Sequence, residues 1–149
     1  MFQPENPMNH KKCLISYAIS TLVTFAVLWG LEFLVHGVIL SGDYKAIAQI
    51  YRPEADMCHY LPYMLLSFLI LSAAAVWAYD HGKKETPFLG QGVRFGLGLA
   101  FLTVVPEALL YYSLQPLGCA LVMKQILLGV LQMVVLGVVI AKLRQKTTK

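Results

Sequence analysis

The sequence predicts an all-α protein built as a four-helix transmembrane bundle. Of its 149 residues, 58% are hydrophobic and only 13% are charged, whereas soluble domains carry about 25% charged residues. The mean hydropathy is +0.63. Four segments are long and apolar enough to cross a bilayer, which takes about 20 residues: 14–40, 60–79, 92–114 and 118–143. They leave no room for a soluble domain, so we expect one integral membrane domain over residues 1–149, in contact with the lipid bilayer.

The basic residues are distributed unevenly between the two sides of the predicted membrane. The formal net charge is +4, yet the loop between the first two spans holds only Lys45 and Arg52. Nine of the other ten cations flank the opposite ends of the spans: Lys11, Lys12, Lys83, Lys84, Arg94, Lys142, Arg144, Lys146 and Lys149. By the positive-inside rule, both termini are cytoplasmic. We therefore interpret the charge as a topology signal and expect no nucleic-acid partner.

The first span holds the main candidates for a functional site. Ser16, Ser20 and Thr24 follow one another in steps of four, a polar stripe typical of a helix face that contacts other helices. Glu32 and His36 are also four residues apart and therefore share a helix face. Because burying an ionisable side chain in a bilayer costs free energy, such residues indicate a functional site.

The loop at residues 41–59 is the longest segment between the predicted spans. Ser41 or Asp43 can cap a short helix that ends before Pro53. The apolar residues of this helix recur with a helical period: Tyr44, Ile47, Ala48 and Tyr51. This pattern predicts a short amphipathic helix in the outer loop, lying at the membrane interface.

Small residues open the third span. Gly92, Gly96 and Ala100 are four residues apart and allow two helix backbones to approach closely. We expect this face to contact a second copy of the chain or a partner in a membrane complex.

The second half of the chain repeats features of the first. Pro106 cannot donate a hydrogen bond to the carbonyl of Leu102, which predicts a kink just before Glu107. Tyr111 follows Glu107 by four residues, as His36 follows Glu32. The spacing fits a tandem two-helix repeat, and it also fits the similarity that any two amphipathic hairpins share.

Three charged residues fall at one depth in the predicted bundle. At about 1.5 Å rise per residue, Glu32, Glu107 and Lys124 lie roughly 6–9 Å outward of the midpoints of their spans. We therefore expect Lys124 to pair with Glu32, Glu107 or both. With His36 and Tyr111 they form a predicted ligand- or proton-binding site, in which the surplus carboxylate is met by a proton or a cation. The alternative is a cluster that only holds the bundle together.

A metal site and a disulfide are further hypotheses. His36, Cys58 and His59 form a soft-ligand set of the type that binds copper or zinc. Cys58 and Cys119 both begin descending spans, and a disulfide requires their Cα atoms to lie within about 7 Å. Nothing indicates an enzyme, because no Ser or Cys comes with an evident base, and no cofactor is indicated.

Three short segments resemble the loop signatures of a family of small, uncharacterised four-span bacterial inner-membrane proteins. They are Tyr51-Arg-Pro-Glu-Ala-Asp-Met57, Leu89-Gly-Gln-Gly-Val-Arg-Phe-Gly96 and Gln115-Pro-Leu117. The resemblance covers residues 20–142. It implies a four-helix bundle in the bacterial inner membrane and no known activity.

Two functions fit these observations. The first is a small integral inner-membrane protein with a polar, ionisable pocket in the outer half of the bundle, which binds or passes a proton, a metal ion or a small amphiphile. The alternative is an accessory or structural subunit of a larger membrane complex. A pocket protein should titrate or bind by itself, whereas a subunit should co-purify with a partner.

Overall fold

The computed structural model describes residues 7–82 and 87–145, and all regular structure within these ranges is helical. Four helices are long and apolar enough to span a membrane: Lys11–Ile39, Asp56–Gly82, Phe88–Leu114 and Cys119–Gln145. The predicted all-α bundle with four spans is therefore confirmed. Four of the lysines used in the charge argument lie outside the described residues: Lys83, Lys84, Lys146 and Lys149.

The described residues form six α-helices, a π-helix and a 3-10 turn. Helix α1 covers Pro7–Glu32 and continues directly as the π-helix Phe33–Ile39. The loop then forms α2 at Ser41–Ala46 and the 3-10 turn at Ala48–Ile50. The remaining helices are α3 at Glu54–Gly82, α4 at Phe88–Leu102, α5 at Val104–Leu114 and α6 at Cys119–Gln145. We call the end of the bundle that carries α2 the loop end, and the end that carries Arg144 of α6 the terminal end.

Helix α6 is the central helix of the bundle. It contacts α1, α3, α4 and α5. In the most apolar 18-residue stretch of α6, 39% of the residues are buried, against 17% in the corresponding stretch of each of the other three spans. Helix α6 is therefore more enclosed by other helices than they are. The main core joins Leu28 of α1, Val76 of α3, and Leu136 and Ile140 of α6, all of them fully buried.

The small residues of α4 pack against α6 within the same chain. A Cβ atom added to Gly92 would lie 2.6 Å from the Cα atom of Val138, and Gly96 faces Met133 and Val134 just as closely. Ala100 is fully buried. The prediction of close backbone approach is therefore right, but the prediction of a partner surface at Gly92, Gly96 and Ala100 is wrong, because α6 already covers these residues.

The third span breaks near the proline, as predicted. Helix α4 ends at Leu102, and Thr103 leaves the helical path with φ −119° and ψ −69° before α5 begins. A proline ring clashes with the carbonyl four residues earlier, which is that of Leu102, so the break falls one turn before Pro106. The Thr103 hydroxyl donates to the carbonyl of Leu99 at 2.8 Å.

The loop and the second span differ from the sequence prediction. Helix α3 begins at Glu54, six residues before the predicted start of the span at residue 60, and Pro62 lies inside it. The loop helix stops at Ala46, and Tyr44, Ile47 and Ile50 pack against the bundle. An amphipathic helix at the membrane interface is thus not confirmed. The tandem repeat is not confirmed either: the first hairpin carries a π-helix, and the second carries a break.

The close approach of α4 and α6 can be tested by adding single methyl groups. Gly92→Ala places a Cβ against the backbone of α6, so it should lower the free energy of unfolding by about 1–3 kcal/mol, as overpacking does. Gly98→Ala is the matched control, because its Cβ meets nothing within 4 Å. Thermal unfolding in detergent measures both. Equal melting temperatures for the two variants would contradict this packing.

Candidate functional site

Three side chains at the loop end form a continuous series from α2 into the first span. The Tyr44 hydroxyl lies 2.5 Å from Nδ1 of His36, and the two rings stack with centroids 5.8 Å apart. On the other side of the imidazole, Nε2 lies 3.3 Å from Oε2 of Glu32. Gln125 of α6 donates its Nε2 hydrogen to the Tyr44 oxygen at 3.0 Å. The series therefore connects α2, α6 and the end of α1.

The Glu32 carboxylate favours one direction for the hydrogen bonds of this series. An ionised carboxylate can only accept, so a neutral His36 carries its hydrogen on Nε2 and accepts at Nδ1 from the Tyr44 hydroxyl. A neutral imidazole that accepts at Nδ1 carries its hydrogen on Nε2, which faces the Glu32 carboxylate. All hydrogens then point the same way, from Gln125 through Tyr44 and His36 to Glu32.

The π-helix positions His36 within this series. Its wider turn is seen in the backbone N–H of Leu40, which donates to the carbonyl of Val35, five residues earlier, at 2.9 Å. Short π-helical segments occur frequently at functional sites. Leu40 is buried at the end of the segment, and the chain turns there into α2. This turn brings Tyr44, eight residues after His36, back over the imidazole.

Two carboxylates meet next to a buried amide. Glu107 of α5 lies close enough to Glu32 for their negative charges to repel each other. The Gln132 amide of α6 also lies near Glu32. Its Nε2 atom, however, makes no hydrogen bond to any described residue, and Gln132 is only 3% exposed. In the described ranges, no Lys or Arg lies within ion-pair distance of either glutamate. Within these ranges, His36 is the titratable base in contact with the pair.

Lys124 does not pair with these glutamates, so that prediction is wrong. Its Nζ lies 2.9 Å from both carboxylate oxygens of Asp43 in α2. Lys124 is half-exposed, on the outside of α6, whereas Gln125 and Gln132 face the interior. Lys124 lies eight residues before Gln132, about 12 Å along α6, and it is Gln132 that lies near Glu32, so neither the depth nor the side of the helix matches the prediction. The Lys124–Asp43 pair instead joins the loop to α6.

The other predicted site residues are not gathered at Glu32. Tyr111 is exposed and lies near Tyr51 of the loop. No three His, Cys, Asp or Glu side chains in the described ranges come together as metal ligands, so this structure does not assemble the set His36, Cys58 and His59. The His59 ring contacts Tyr60 instead, with centroids 5.3 Å apart. Cys58 and Cys119 are both free and exposed.

The roles of Tyr44 and Gln125 were not predicted from the sequence. Tyr44 was predicted only as an apolar residue of the loop helix, without a role for its hydroxyl. Gln125 shares a helix face with Gln132, and this pairing of amides in an apolar span was the available signal. The partner on α2 was not predictable because the loop folds back through a π-helix.

A second ionic cluster at the terminal end was also missed. Arg144 is only 4% exposed, and its Nε donates to Oδ1 of Asp80 at 2.8 Å. Its Nη1 donates to the hydroxyls of Ser16 at 3.1 Å and Ser20 at 3.5 Å. From the sequence, Arg144 was predicted only as a cation that flanks the membrane. The spacing of Ser16 and Ser20 was the signal that a polar partner faces α1 at this depth.

Burial of Tyr44 makes stability depend on alkaline pH. Burial raises the pKa of Tyr44 above its ordinary value of about 10, the charges of Tyr51, Glu32 and Asp43 add to this, and the hydrogen bond from Gln125 opposes it. The folded state thus favours the neutral phenol. This contribution is complete below about pH 10 and is lost as pH rises through the folded-state pKa.

We therefore expect the free energy of unfolding to fall above about pH 10, and to fall less in Tyr44→Phe. Chemical unfolding followed across alkaline pH measures this, with tyrosinate absorbance as a second readout. Tyr63→Phe is the matched control, because the Tyr63 ring is 67% exposed. An unchanged alkaline slope in Tyr44→Phe would contradict the burial of the phenol.

Comparison with known proteins adds no relative to this description. No protein-family model, no curated protein and no solved structure matches the chain. The resemblance to a family of four-span bacterial membrane proteins stays a prediction, and a function has to be argued from the residues themselves.

Proposed function

We propose that this integral membrane protein binds and relays a proton at the loop end, with Glu32 and Glu107 as the acceptors. One observation carries the proposal: the hydrogen-bonded series Gln125, Tyr44, His36 and Glu32 ends at a carboxylate pair that lacks a Lys or Arg partner in the described ranges. Its binding residues are Glu32, His36, Tyr44 and Glu107.

The chemistry of the series suits a proton. A phenol, an imidazole and a carboxylate each hold an exchangeable hydrogen, and imidazole changes charge near neutral pH. When the Tyr44 hydroxyl takes up a proton from water and passes its own hydrogen to Nδ1 of His36, the imidazole can release the one on Nε2 to Glu32, and Tyr44 stays neutral. Chains of Glu and His inside a membrane serve as such relays.

The carboxylate pair favours uptake of a positive charge. Two negative charges close together repel each other, and this repulsion is stronger where water is scarce. A proton bound between Glu32 and Glu107 removes it. The Gln132 amide, which has donors but no partner, then stabilises the carboxylate that remains charged. Lys124 does not compete, because it is paired with Asp43.

The alternative function, an accessory subunit of a membrane complex, has less support. Its predicted contact surface at Gly92, Gly96 and Ala100 is buried inside the chain. The exposed apolar side chains are those that a bilayer requires of any spanning helix, and they do not point to a protein partner.

We further propose that the protein lies in a bacterial inner membrane with both termini in the cytoplasm and the loop end outside. The uneven distribution of lysine and arginine supports this orientation. A reporter that is active only outside the cytoplasm should then work when fused after Asp56 and fail when fused after Lys149. The opposite pattern would place the Tyr44 end of the relay in the cytoplasm.

Proton binding can be followed by infrared spectroscopy of the carboxyl groups in purified protein. Between about pH 8 and about pH 5, the range in which histidine titrates, the wild type should gain a protonated-carboxyl band. Glu32→Gln should remove most of this band, because it removes the acceptor that His36 faces, and Glu107→Gln should shift or reduce it.

Asp43→Asn is the matched control for this experiment. It removes a carboxylate at the same end of the bundle, one that is paired with Lys124 and outside the relay, so the band should persist. An identical band in wild type, Glu32→Gln and Glu107→Gln would contradict the proposed function.

A further inference from the structure

Four buried polar atoms have no hydrogen-bond partner in the part of the chain that the structure describes. They are Oγ1 of Thr21, Oγ1 of Thr24, Oγ of Ser72 and Nε2 of Gln132. Their residues are 7%, 0%, 0% and 3% exposed. Folded proteins pair nearly all buried polar groups with protein or ordered water, so four such atoms in one small bundle require an explanation.

These atoms lie between the two ionisable clusters. Gln132 of α6 lies near Glu32 at the loop end, and Arg144 of the same helix binds Ser16 and Ser20 at the terminal end. Helices α1 and α6 therefore run antiparallel, side by side. Thr21 and Thr24 follow Ser20 on α1 by one and four residues, within about one helical turn.

Ser72 of α3 lies at the same depth as the two threonines. The next residue, Ala73, accepts a hydrogen bond at its carbonyl from the hydroxyl of Tyr17 at 2.7 Å. Tyr17 lies one turn before Thr21 on α1. Three unpartnered hydroxyls from α1 and α3 thus continue the serine hydroxyls of the terminal end towards the middle of the membrane.

The polar series has one interruption. Thr24 and Glu32 are separated by eight residues of α1, about 12 Å, and Leu28 lies halfway between them. Leu28 and Leu136 of α6 are both 0% exposed and belong to one core cluster. Since Gln132 lies near Glu32 and Arg144 near Ser20, Leu136 falls at the depth of Leu28. We call these two residues the leucine layer.

We propose that the bundle interior is a transmembrane proton path, closed at rest by the leucine layer. The path runs from Tyr44, His36 and Glu32 to Gln132, then past Thr24, Ser72 and Thr21 to the terminal end. There Ser20, Ser16 and the Asp80 carboxylate receive the proton, and Arg144 compensates the charge of Asp80. This inference rests on the proposed function, because Glu32 is where the path begins.

The packing around the path favours a proton over other cations. Thr24, Ser72, Leu28 and Leu136 have no exposed surface, so the resting interior has room neither for a hydrated metal ion nor for standing water. Proton transfer requires only that single water molecules enter when the packing opens. Single water molecules between hydroxyl and amide groups can carry a proton by exchanging hydrogen bonds. An apolar constriction stops such a series by excluding water. The proton moves down its gradient, and the step requires no other reactant.

The test uses the full-length protein in liposomes that contain a trapped pH-sensitive dye, with a potassium ionophore to hold the membrane potential constant. Leu28→Ser should raise the proton flux several-fold over wild type, because it places a hydroxyl in the leucine layer. Adding Thr24→Val to Leu28→Ser should return the flux to a low value, since valine has the shape of threonine without its hydroxyl. Leu28→Ala, which widens the layer without a polar group, is the second opening variant if Leu28→Ser does not fold.

Two controls separate the path from a general leak. Ser67→Ala on α3 is exposed and off the path, so adding it to Leu28→Ser should leave the raised flux unchanged, whereas Ser72→Ala should lower it. Thr24→Ser, which keeps the hydroxyl, should retain the flux that Thr24→Val removes. A leak caused by loose packing would not distinguish these pairs of variants.

The carboxyl infrared titration on the same preparations separates this inference from the proposed function. Flux lost when Thr24→Val is added to Leu28→Ser, with an intact carboxyl band, supports the path. If Leu28→Ser and Leu28→Ala conduct no more than empty liposomes while the band is normal, the path is wrong and the proton site stands. If the band itself is absent from the wild type, both proposals fail.

Discussion

The structure depends on one constraint, which is that a bilayer interior offers no hydrogen-bond partner to a polar group. Helix α6 supplies hydrogen-bond partners at both ends of the bundle. It supplies Arg144 to Asp80 at the terminal end, and Lys124 to Asp43 and Gln125 to Tyr44 at the loop end. Helix α6 also contacts α1, α3, α4 and α5, and among the described spans its most apolar stretch has the largest buried share.

Helix α6 serves packing and polarity on different faces. Towards α4 it presents Gly137 and the backbone near Met133, and the glycines of α4 allow contact without intervening side chains. Towards α1 it presents Gln132 and Arg144. The third span has two parts on either side of the break at Thr103. Helix α4 packs against α6 through its glycines, and α5 carries Glu107, which lies near Glu32. The proline at 106 thus contributes to the site without touching it.

The features predicted from the sequence are those that follow from a local pattern of residues. The four spans follow from apolar length, the approach of α4 from the spacing of Gly92 and Gly96, and the break from Pro106. The neighbours of each side chain could not be predicted in the same way: Lys124 pairs with Asp43 of the loop and not with Glu32. The partner of His36 was also out of reach, because Tyr44 arrives through a loop whose path is set by packing of Leu40 and Ile47 on the bundle. The position of a residue along its helix does not by itself determine which side chains it contacts.

The π-helix at Phe33–Ile39 has a mechanical consequence. A π-helix holds one more residue per hydrogen-bonded ring than an α-helix, so the same seven residues can be wound in two ways that differ in the angle at which the chain leaves the membrane. Rewinding Val35 to Ile39 as an α-helix would rotate His36 and Tyr44 relative to Glu32, while the helix below Glu32 stays in place. The direction in which the loop leaves the span, and with it the position of Tyr44 over His36, therefore depends on how these seven residues are wound.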